Sequence, residues 1–268
     1  MTPATERQQQ LVDYLKALRL TSIRESFAEV AQQAAQESLG YDQYLLELVR
    51  REWEMRQNRR MTRLLRESCL PYDKTLETFD LTRLPPHVRH AVTLMQQGFF
   101  LEKAENVLAF GNPGTGKTHV LCGLAQHLVR QGHRLWFTTC SLLVQHLLRA
   151  KRDLVLGAYL KKLHTFEAIV IDDIGYVQHN REEMEVLFTL LADRYERRSV
   201  MITSNLPFSK WETIFKDPMT TAAAIDRVVH HSVILELNVP SYRMEEAQKD
   251  QQTAQQQEKK SSSEKGNN

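Results

Sequence analysis

Eight consecutive residues near the middle of the chain have the types and spacing of a phosphate-binding loop. They match the pattern G-x-x-x-x-G-K-[ST] at every fixed position and are Gly111, Asn112, Pro113, Gly114, Thr115, Gly116, Lys117 and Thr118. Glycines let backbone N–H groups turn towards phosphate oxygens, and a following helix adds the positive end of its dipole. The Lys117 ammonium can reach the β and γ phosphates, and the Thr118 hydroxyl can ligate Mg²⁺. The motif therefore predicts a site for a nucleoside triphosphate and Mg²⁺.

The residues on either side of this motif decide between a nucleotide site and a flexible glycine turn. The apolar run 107–110 leads into the motif, and the helix-compatible run 119–129 leads out of it. A phosphate-binding loop requires this order of strand, loop and helix. We therefore favour the nucleotide site.

Two adjacent carboxylates, Asp172 and Asp173, follow a second apolar run, 168–171. Such a run predicts a buried parallel strand, whose carboxyl end lies near the phosphate loop in a doubly wound sheet. Asp172 is predicted to hold Mg²⁺ directly or through water, and Asp173 to orient or deprotonate the attacking water. An ordinary solvent-facing strand end is the alternative. The position of Asp172, 55 residues after Lys117 (172 − 117 = 55), favours the catalytic interpretation.

Three further polar residues are candidates for catalysis or assembly. Asn205 follows the apolar run 199–203 and could position the water or sense the γ phosphate, although asparagine is also an ordinary turn residue. Arg227 could stabilise the γ phosphate bound to a neighbouring molecule, which would couple hydrolysis to assembly. A surface ion pair with Asp226 is the alternative for Arg227. Arg243 is a further candidate for a phosphate or interface contact.

The elements that must position these residues follow from hydrophobic periodicity. Five apolar runs are predicted as strands and cover 107–110, 134–139, 168–172, 199–203 and 232–237. Strands that alternate with helix-length segments indicate a parallel sheet covered on both faces. Before them, residues 8–70 carry leucines at helical spacing and few β-branched residues. The predicted fold class is therefore α/β, a five-stranded parallel sheet preceded by a small all-helical domain.

These elements divide the chain into four predicted segments. Residues 1–70 form a helical amino-terminal domain for binding DNA or a partner, and residues 71–105 form a linker and lead-in that contains prolines. Residues 106–244 form the ATPase domain. Residues 245–268 are rich in Gln, Lys, Ser and Glu and are predicted to be a disordered tail.

Two clusters of basic residues have the spacing to contact a nucleic-acid backbone. In the helical domain, the arginines on one side of a helix are Arg56, Arg59, Arg60 and Arg63. In the insertion 141–164, which is predicted to form two helices, the basic residues are Arg149, Lys151, Arg152, Lys161 and Lys162. Both clusters suit phosphate contacts to duplex DNA, and the sequence carries no base-reading signature, which predicts weak sequence preference. A solvated helix face is the alternative for the arginine cluster.

The composition excludes several classes of protein. The chain has 268 residues, a formal net charge of +2 and three cysteines. An odd number of cysteines without metal-ligand spacing predicts reduced thiols rather than a disulfide framework or a metal cluster. The sequence contains neither a cationic leader with an apolar core nor an apolar stretch long enough to span a membrane. We therefore expect a cytoplasmic protein with no membrane partner.

Taken together, these motifs resemble those of the IstB-type helper ATPases of insertion sequences, relatives of the DnaC-type helicase loaders in the AAA+ superfamily. The resemblance covers nearly all of residues 8–244 and is carried by GNPGTGKTH at 111–119, IVIDDIG at 169–175, ITSN at 202–205 and AAAIDRVVHHS at 222–232. Two amino-terminal stretches look like the transposition helper rather than the loader, and they are YDQYLLELVRREWEMRQNRR at 41–60 and LPYDKTLETFD at 70–80.

The resemblance implies a P-loop AAA+ ATPase that forms a homo-oligomer, grips duplex DNA and activates a transposase encoded by the same element. It implies ATP and Mg²⁺ as ligands, with residues 111–119, including His119, around the nucleotide. It also implies that Asn205 is the first sensor and that Arg227 is a finger reaching a neighbouring subunit. Strand cleavage is not implied. At Asp173 the superfamily usually has glutamate, and the shorter side chain predicts slow hydrolysis that times release from DNA.

Two other classes of function stay open at this point. One is a DnaC-like replicative helicase loader, which acts mainly as a protein-binding adaptor. The other is a metabolic P-loop kinase that phosphorylates a small molecule. The turn 203–205, the candidate finger Arg227 and the lack of an evident acceptor-binding lid argue against the kinase. A neighbouring transposase gene would favour the transposition helper, whereas a neighbouring replication gene would favour the loader.

Overall fold

The structure is a computed structural model and describes residues 3–175, 180–207, 210–211, 225–242 and 244–245. Arg243 and the predicted tail beyond residue 245 lie outside the described residues. The chain divides into two compact units, 1–63 and 64–268. The division falls inside a helix, and the four predicted functional segments stay a prediction. Among the described helices, none is both long and apolar enough to cross a membrane.

The first unit is helical. Its elements are α1 (Pro3–Ala17), α2 (Thr21–Gln36) and the first part of α3 (Tyr41–Ser68). These helices bury a small cluster of apolar side chains made of Leu15, Ile23, Val30 and Leu48. The predicted all-helical amino-terminal region is therefore confirmed.

Glu52, a buried carboxylate on α3, caps the amino-terminal end of α2. Leu20, at the N-cap of α2, has no side-chain hydrogen bond to offer, so the first N–H groups of α2 need another acceptor. Glu52 Oε2 accepts from the N–H groups of Ser22 at 2.8 Å and Ile23 at 3.3 Å, and Arg56 donates to its other oxygen at 2.7 Å. Burial raises the pKa of Glu52, but the hydrogen bonds outweigh it and hold the pKa below its usual range.

The second unit contains a five-stranded sheet in which every described strand pair is parallel. Its strands are β1 (Asn106–Phe110), β2 (Leu135–Thr139), β3 (Ala168–Ile174), β4 (Ser199–Ser204) and β5 (Ser232–Glu236). Their order across the sheet is β2-β3-β4-β1-β5. Its helices are α4 (Pro86–Met95), α5 (Phe99–Glu102), α6 (Lys117–Arg130), α7 (Cys140–Arg152), α8 (Leu156–His164) and α9 (Arg181–Arg194). This confirms the predicted α/β fold, the five strands and the two helices of the insertion.

Alternating side chains of the central strands supply two separate cores. Val107 and Ala109 of β1 pack on one face with the apolar side of α6, while Leu108 and Phe110 pack on the other face with α7 and α9. Successive side chains of a strand point to opposite faces, and both faces of this sheet are covered by helices. The strands therefore read as continuous apolar runs in the sequence. Cys122 and Cys140 are buried and Cys69 is exposed, and none of the three forms a disulfide.

Arg194 is a buried arginine that ties three elements together. Its Nη1 donates to Leu163 O at the end of α8 at 3.0 Å. Its Nη2 donates to Phe166 O, just before β3, at 3.0 Å and to Ser199 O of β4 at 2.9 Å. Burial and the nearby charge of Arg198 lower the pKa of Arg194 to about 9. The side chain supplies buried donors to carbonyl groups at the end of α8, just before β3 and at the start of β4.

Replacing Arg194 by methionine should therefore destabilise the second unit. The Arg194→Met side chain offers no donors, so buried carbonyl oxygens lose partners, and we expect the free energy of unfolding to fall by about 2–5 kcal/mol. Urea unfolding followed by far-ultraviolet circular dichroism measures the change. Arg197→Met is the matched control, since Arg197 is exposed in the turn after α9. An equal effect of both variants would contradict the assigned role of Arg194.

Candidate functional site

The phosphate-binding loop, residues 111–116, joins the end of β1 to the start of α6. Two of its glycines are required by geometry. Gly116 has φ +93°, and a Cβ there would lie 2.5 Å from the ring of Phe79. Gly111 has φ +151°, and a Cβ there would lie 2.5 Å from Leu237 O. A side chain at either position would displace a neighbour, so the loop can approach these groups closely only with glycine.

Lys117 is the first residue of α6, and its ammonium is folded back onto the loop. Nζ donates to Gly111 O at 2.8 Å and to Asn112 O at 2.9 Å. The side chain is buried, with 9% of the residue exposed, at the positive end of a helix dipole. A bound phosphate would offer this ammonium a charged acceptor, which forms stronger hydrogen bonds than carbonyl oxygens do.

A network of hydroxyl and carboxylate oxygens lies beside the loop. Thr118 Oγ1 on α6 and Thr203 Oγ1 on β4 both donate to Asp172 Oδ1 on β3, each at 2.7 Å. Thr203 Oγ1 also accepts from the backbone N–H of Asp173 at 2.8 Å. The Thr203 hydroxyl therefore holds two consecutive residues of β3. Asp172 and Thr118 are brought together as predicted from the sequence, whereas the part played by Thr203 was not predicted.

A β-bulge gives the two adjacent carboxylates different surroundings. Ile171 pairs with Ile202 and Ile174 with Ser204, so three steps along β3 match two along β4. The extra residue falls within this interval, and Asp173 has φ +65°, an uncommon value for a residue other than glycine. Asp172 is half-buried in the network, whereas Asp173 is exposed.

The oxygen atoms of this network suit Mg²⁺. Mg²⁺ is a hard cation that is bound through one or two carboxylates together with substrate phosphates and water. Thr118 Oγ1 and Asp172 Oδ1 are 2.7 Å apart, close to the spacing of two ligands of one Mg²⁺ ion, and the phosphate loop begins the same helix that carries Thr118. Thr118 and Asp172 are therefore the residues that could hold the ion.

Asn205 follows β4 at the same edge of the sheet. Ser204 pairs with Phe110, so the next residues of the two strands, Asn205 and Gly111, leave the sheet side by side. The side-chain oxygen of Asn205 is buried and has no hydrogen-bond partner among the described residues. An unsatisfied buried polar atom is costly, and a ligand or water at this edge would satisfy it.

A cavity of about 330 Å³ extends from the phosphate loop. Its walls are the loop, a segment that we call the cover segment (residues 70–83), and residues 239–242. Phe79 lies against Gly116, and the Arg83 guanidinium lies 5.1 Å from the ring centroid of Tyr242. The Tyr242 N–H donates to Gly114 O at 3.0 Å. This volume is in the range of small-ligand sites, and its aromatic and cationic walls suit the nucleoside part of a nucleotide.

The cover segment is seated closely on α6. A Cβ at Gly123 would lie 2.8 Å from Leu76 N, so the close packing requires glycine at this helical position. Gln126 Nε2 donates to Lys74 O at 3.0 Å and also to Pro71 O. Sequence reasoning took this region as linker, and the wall it forms was missed. The stretch LPYDKTLETFD at 70–80, which carries part of the family resemblance, makes up most of this segment.

His119 contacts the cover segment through its ring. Nε2 lies 2.9 Å from Thr75 O and 3.0 Å from Thr78 Oγ1, and the ring centroid is 5.1 Å from that of Phe79. His119 also lines the cavity. Its predicted contact with the nucleotide stays a prediction, and its hydrogen bonds hold one wall of the cavity.

Arg227 lies near the amino-terminal ends of the strands, whereas the phosphate loop lies at their carboxyl-terminal ends. It belongs to the helical residues 225–229, which precede β5, and β5 runs parallel to β1 from Ser232 beside Asn106. The loop leaves β1 after Phe110, four residues or about 13 Å along the strand. Arg227 is exposed, and the structure does not bring it to the other predicted site residues.

Some residues of the two basic clusters already contact other groups of the chain. In the first unit, Arg56 is engaged internally, since it donates to Glu52 and its Nη2 donates to Arg19 O at 3.0 Å. The other three arginines of this cluster, all exposed, are Arg59, Arg60 and Arg63. In the second unit, Lys151 pairs with Glu185 at 3.0 Å. The exposed residues of that cluster are Arg149, Arg152, Lys161 and Lys162.

Comparison with known sequences finds a family and several relatives. Residues 13–250 match the family model described as IstB-like ATP binding protein. An insertion sequence ATP-binding protein of Sinorhizobium fredii is 41% identical over 234 residues, which are 87% of this chain and 78% of that protein. The insertion sequence IS21 ATP-binding protein of Pseudomonas aeruginosa is 36% identical over 235 residues, 88% of this chain and 89% of that protein.

Comparison with solved structures finds the same fold in replication proteins. A crystal structure of DnaI superposes with a TM-score of 0.53 and 18% identity, covering 63% of this chain and 94% of that one. The AMPPCP-bound DnaA of Aquifex aeolicus superposes with a TM-score of 0.53 and 14% identity, covering 63% of this chain and 51% of that one. At these identities the likeness concerns the AAA+ fold alone.

The Thr203 hydroxyl provides a sharp test of the oxygen network. Thr203→Val keeps the shape of the side chain but can neither donate to Asp172 nor accept from the Asp173 N–H. We expect the rate constant of ATP hydrolysis, kcat, to fall about 10–100-fold with little change in nucleotide affinity, because the loss misplaces the carboxylates. Steady-state phosphate release and nucleotide titration measure the two quantities.

The control is Thr138→Val, the same change at a buried threonine of β2 beside Ile171. If both variants hydrolysed ATP like the parent protein, Thr203 would have no part in positioning the carboxylates.

Proposed function

The chain belongs to the IstB-like ATP-binding proteins, and from that premise we propose that it is an ATP-dependent, DNA-binding regulator of transposition. In this proposal it forms a homo-oligomer on duplex target DNA with weak sequence preference and activates a transposase encoded by the same element. ATP hydrolysis controls its release. The observation that carries the proposal is the oxygen network Thr118–Asp172–Thr203 beside a complete phosphate loop, in a chain whose relatives are insertion sequence ATP-binding proteins.

ATP binding would use the loop and the cavity together. Backbone N–H groups of residues 111–118 and the amino-terminal end of α6 meet the phosphates. The Lys117 ammonium exchanges its two carbonyl contacts for phosphate oxygens. The base and sugar take the cavity between the cover segment and Tyr242. The nucleotide thereby contacts both the loop and residues that precede the sheet in the chain.

Hydrolysis would depend on the strand ends beside the loop. Thr118 and Asp172 would hold Mg²⁺, which would supply positive charge to the phosphates. Asp173, exposed at the bulge, accepts a proton from the attacking water or orients it. The buried oxygen of Asn205 gains a partner when this water or the γ phosphate is present. Aspartate reaches less far than glutamate, which makes slow, regulatory hydrolysis the expected behaviour.

Assembly would complete the catalytic site from a second copy. Arg227 lies near the amino-terminal ends of the strands, and the chain's own phosphate loop lies at their carboxyl-terminal ends. In this proposal Arg227 therefore stabilises a γ phosphate held by another subunit. Each chain then offers a nucleotide at the carboxyl-terminal ends of its strands and an arginine near their amino-terminal ends. This arrangement makes hydrolysis depend on the oligomer.

Duplex DNA would be held through its phosphates. Arg59, Arg60 and Arg63 of the first unit are exposed on α3, as are Arg149 and Arg152 on α7. Lys161 and Lys162 add charge on α8. Arg56, Arg149 and Lys151 also contact carboxylates of the chain itself. Contacts of this kind give affinity that falls with salt and little discrimination between sequences.

The helicase loader is the second candidate function. It stays open because the sequence motifs resemble those of relatives of the DnaC-type helicase loaders, while the likeness to DnaI at 18% identity concerns the fold alone. A loader would act on a ring helicase and would not need duplex DNA. Duplex binding therefore separates the two functions.

Nucleotide-dependent assembly on duplex DNA is the first experiment. We expect the purified full-length protein to form a large complex on duplex DNA with ATP but not with ADP, at one fixed salt concentration. Lys117→Ala should abolish the complex because the loop loses its cation, whereas Lys103→Ala, which removes an exposed cation, should leave it intact. Sedimentation velocity with labelled DNA measures the outcome.

Two variations of this experiment test the rest of the proposal. With ATP, Asp173→Asn should assemble normally and dissociate more slowly after a chase with unlabelled DNA, and failure to bind would refute the timing role of hydrolysis. Adding the transposase of the same element should give a ternary complex. A protein that stayed small and ignored duplex DNA in every nucleotide state would favour the loader.

The exposed arginines of α3 should set the salt dependence of DNA binding. Each phosphate contact contributes about −0.9 to the slope of log K against log salt, so the triple variant R59A/R60A/R63A should reduce the magnitude of this negative slope by up to about 2.7. Fluorescence anisotropy at several salt concentrations measures the slope. R7A/K16A, which removes two cations of α1, is the control, and an unchanged slope in the triple variant would assign α3 to a solvated surface.

A further inference from the structure

Three potential metal ligands lie near the amino-terminal ends of β4 and β5, in the region of Arg227. Glu196 lies in the turn between α9 and β4, and His230 and His231 lie between the helical residues 225–229 and β5. One ligand atom from each of the three side chains lies within 4.8 Å of the other two. All three residues are exposed, and none belongs to the nucleotide site.

The distance between Glu196 and His231 is close to that between two ligands of a tetrahedral ion. His231 Nε2 lies 3.6 Å from Glu196 Oε1, which is too long for a hydrogen bond. Ligands about 2.0–2.1 Å from Zn²⁺ in a tetrahedron are separated by roughly 3.3–3.4 Å, so this pair is close to the required spacing. The ligand atoms of all three residues lie within 4.8 Å of one another, and side-chain rotation would bring His230 to the same spacing. The ring centroids of His230 and His231 are 4.2 Å apart, so the two imidazoles are adjacent.

The ligands are held by groups around them. Tyr195 Oη lies 3.1 Å from His230 Nδ1, the kind of contact that orients a ligating histidine and leaves Nε2 for the ion. The backbone of His231 is fixed because its carbonyl accepts from Asn106 N–H at 2.7 Å. The His230 N–H donates to Asp226 O at 2.8 Å. Hydrogen bonds therefore hold the backbone of both histidines in place.

We propose that Glu196, His230 and His231 form a binding site for a divalent transition-metal ion of the Zn²⁺ type. Two imidazoles and one carboxylate are ligands that Zn²⁺ prefers, whereas Mg²⁺ and Ca²⁺ prefer oxygen alone. Three protein ligands leave the fourth position to water. The site is separate from the Mg²⁺ site assigned to Thr118 and Asp172.

The bound ion would brace the segment that carries Arg227. Glu196 is attached to α9 and β4, while the histidines follow Arg227 by three and four residues. An ion that joins them restrains residues 225–231 against the turn at 196. The effect on Arg227 rests on the proposed function, because it matters only if this arginine reaches another subunit. Metal binding itself does not rest on it.

Binding is tested on the full-length protein freed of metal with a chelator and kept free of nucleotide and DNA. Co²⁺ serves as the optical probe, and we expect the intense visible absorption of a tetrahedral site, displaced by Zn²⁺. Calorimetry should give a site whose dissociation constant for Zn²⁺ rises at least about tenfold in His231→Ala and in Glu196→Gln. His90→Ala, an exposed histidine of α4, is the control and should bind like the parent protein.

The outcomes separate this proposal from the proposed function. Zn²⁺ binding that His231→Ala and Glu196→Gln leave unchanged, or no tetrahedral Co²⁺ spectrum, would overturn the site without bearing on ATP or DNA. Because both substituted residues are exposed, loss of binding in a variant with parental circular dichroism supports the site directly. A parallel measurement of ATP-dependent DNA assembly with and without Zn²⁺ then tests the link to Arg227.

Discussion

The hydrogen bond between Thr118 and Asp172 joins residues 54 positions apart, and the arrangement of the candidate nucleotide site depends on it. β4 lies between β1 and β3, so α6, which follows β1, reaches the carboxylate of β3 where the strands end. Thr203 on the intervening strand reaches the same carboxylate oxygen. Three elements that are distant in the chain therefore converge on one acceptor, and a fault in the register of any of them would separate the hydroxyl groups from it.

The strands and the phosphate loop could be predicted because both have local signatures. Apolar runs of β1, β3 and β4 are buried on both faces and read as continuous hydrophobic segments, and the loop is a contiguous pattern of residue types. The predicted α/β class and the helical amino-terminal region are confirmed. The roles of Asp172, Asp173 and Asn205 stay predictions, although the structure places them at one edge of the sheet.

Other parts of the site have no local signature. The cover segment has no periodicity, and its position depends on Gly123 and Gln126, which lie about 50 residues further along the chain. The bulge at Asp173 arises from pairing with β4, which the residues of β3 alone do not specify. Arg56 has the same helical spacing as its neighbours and a local pair with Glu52, but its hydrogen bond to Arg19 O depends on how α3 meets the segment between α1 and α2. Each of these features is a tertiary contact.

The different burial of the three cysteines has a practical consequence for labelling. Burial raises the pKa of Cys122 and of Cys140 to about 12, so neither thiol offers appreciable thiolate to an alkylating reagent near neutral pH. Cys69 is exposed and immediately precedes the cover segment. A maleimide fluorophore would therefore attach at a single natural position in the folded protein, next to the wall of the nucleotide cavity. The unaltered chain can thus report its own nucleotide state by fluorescence.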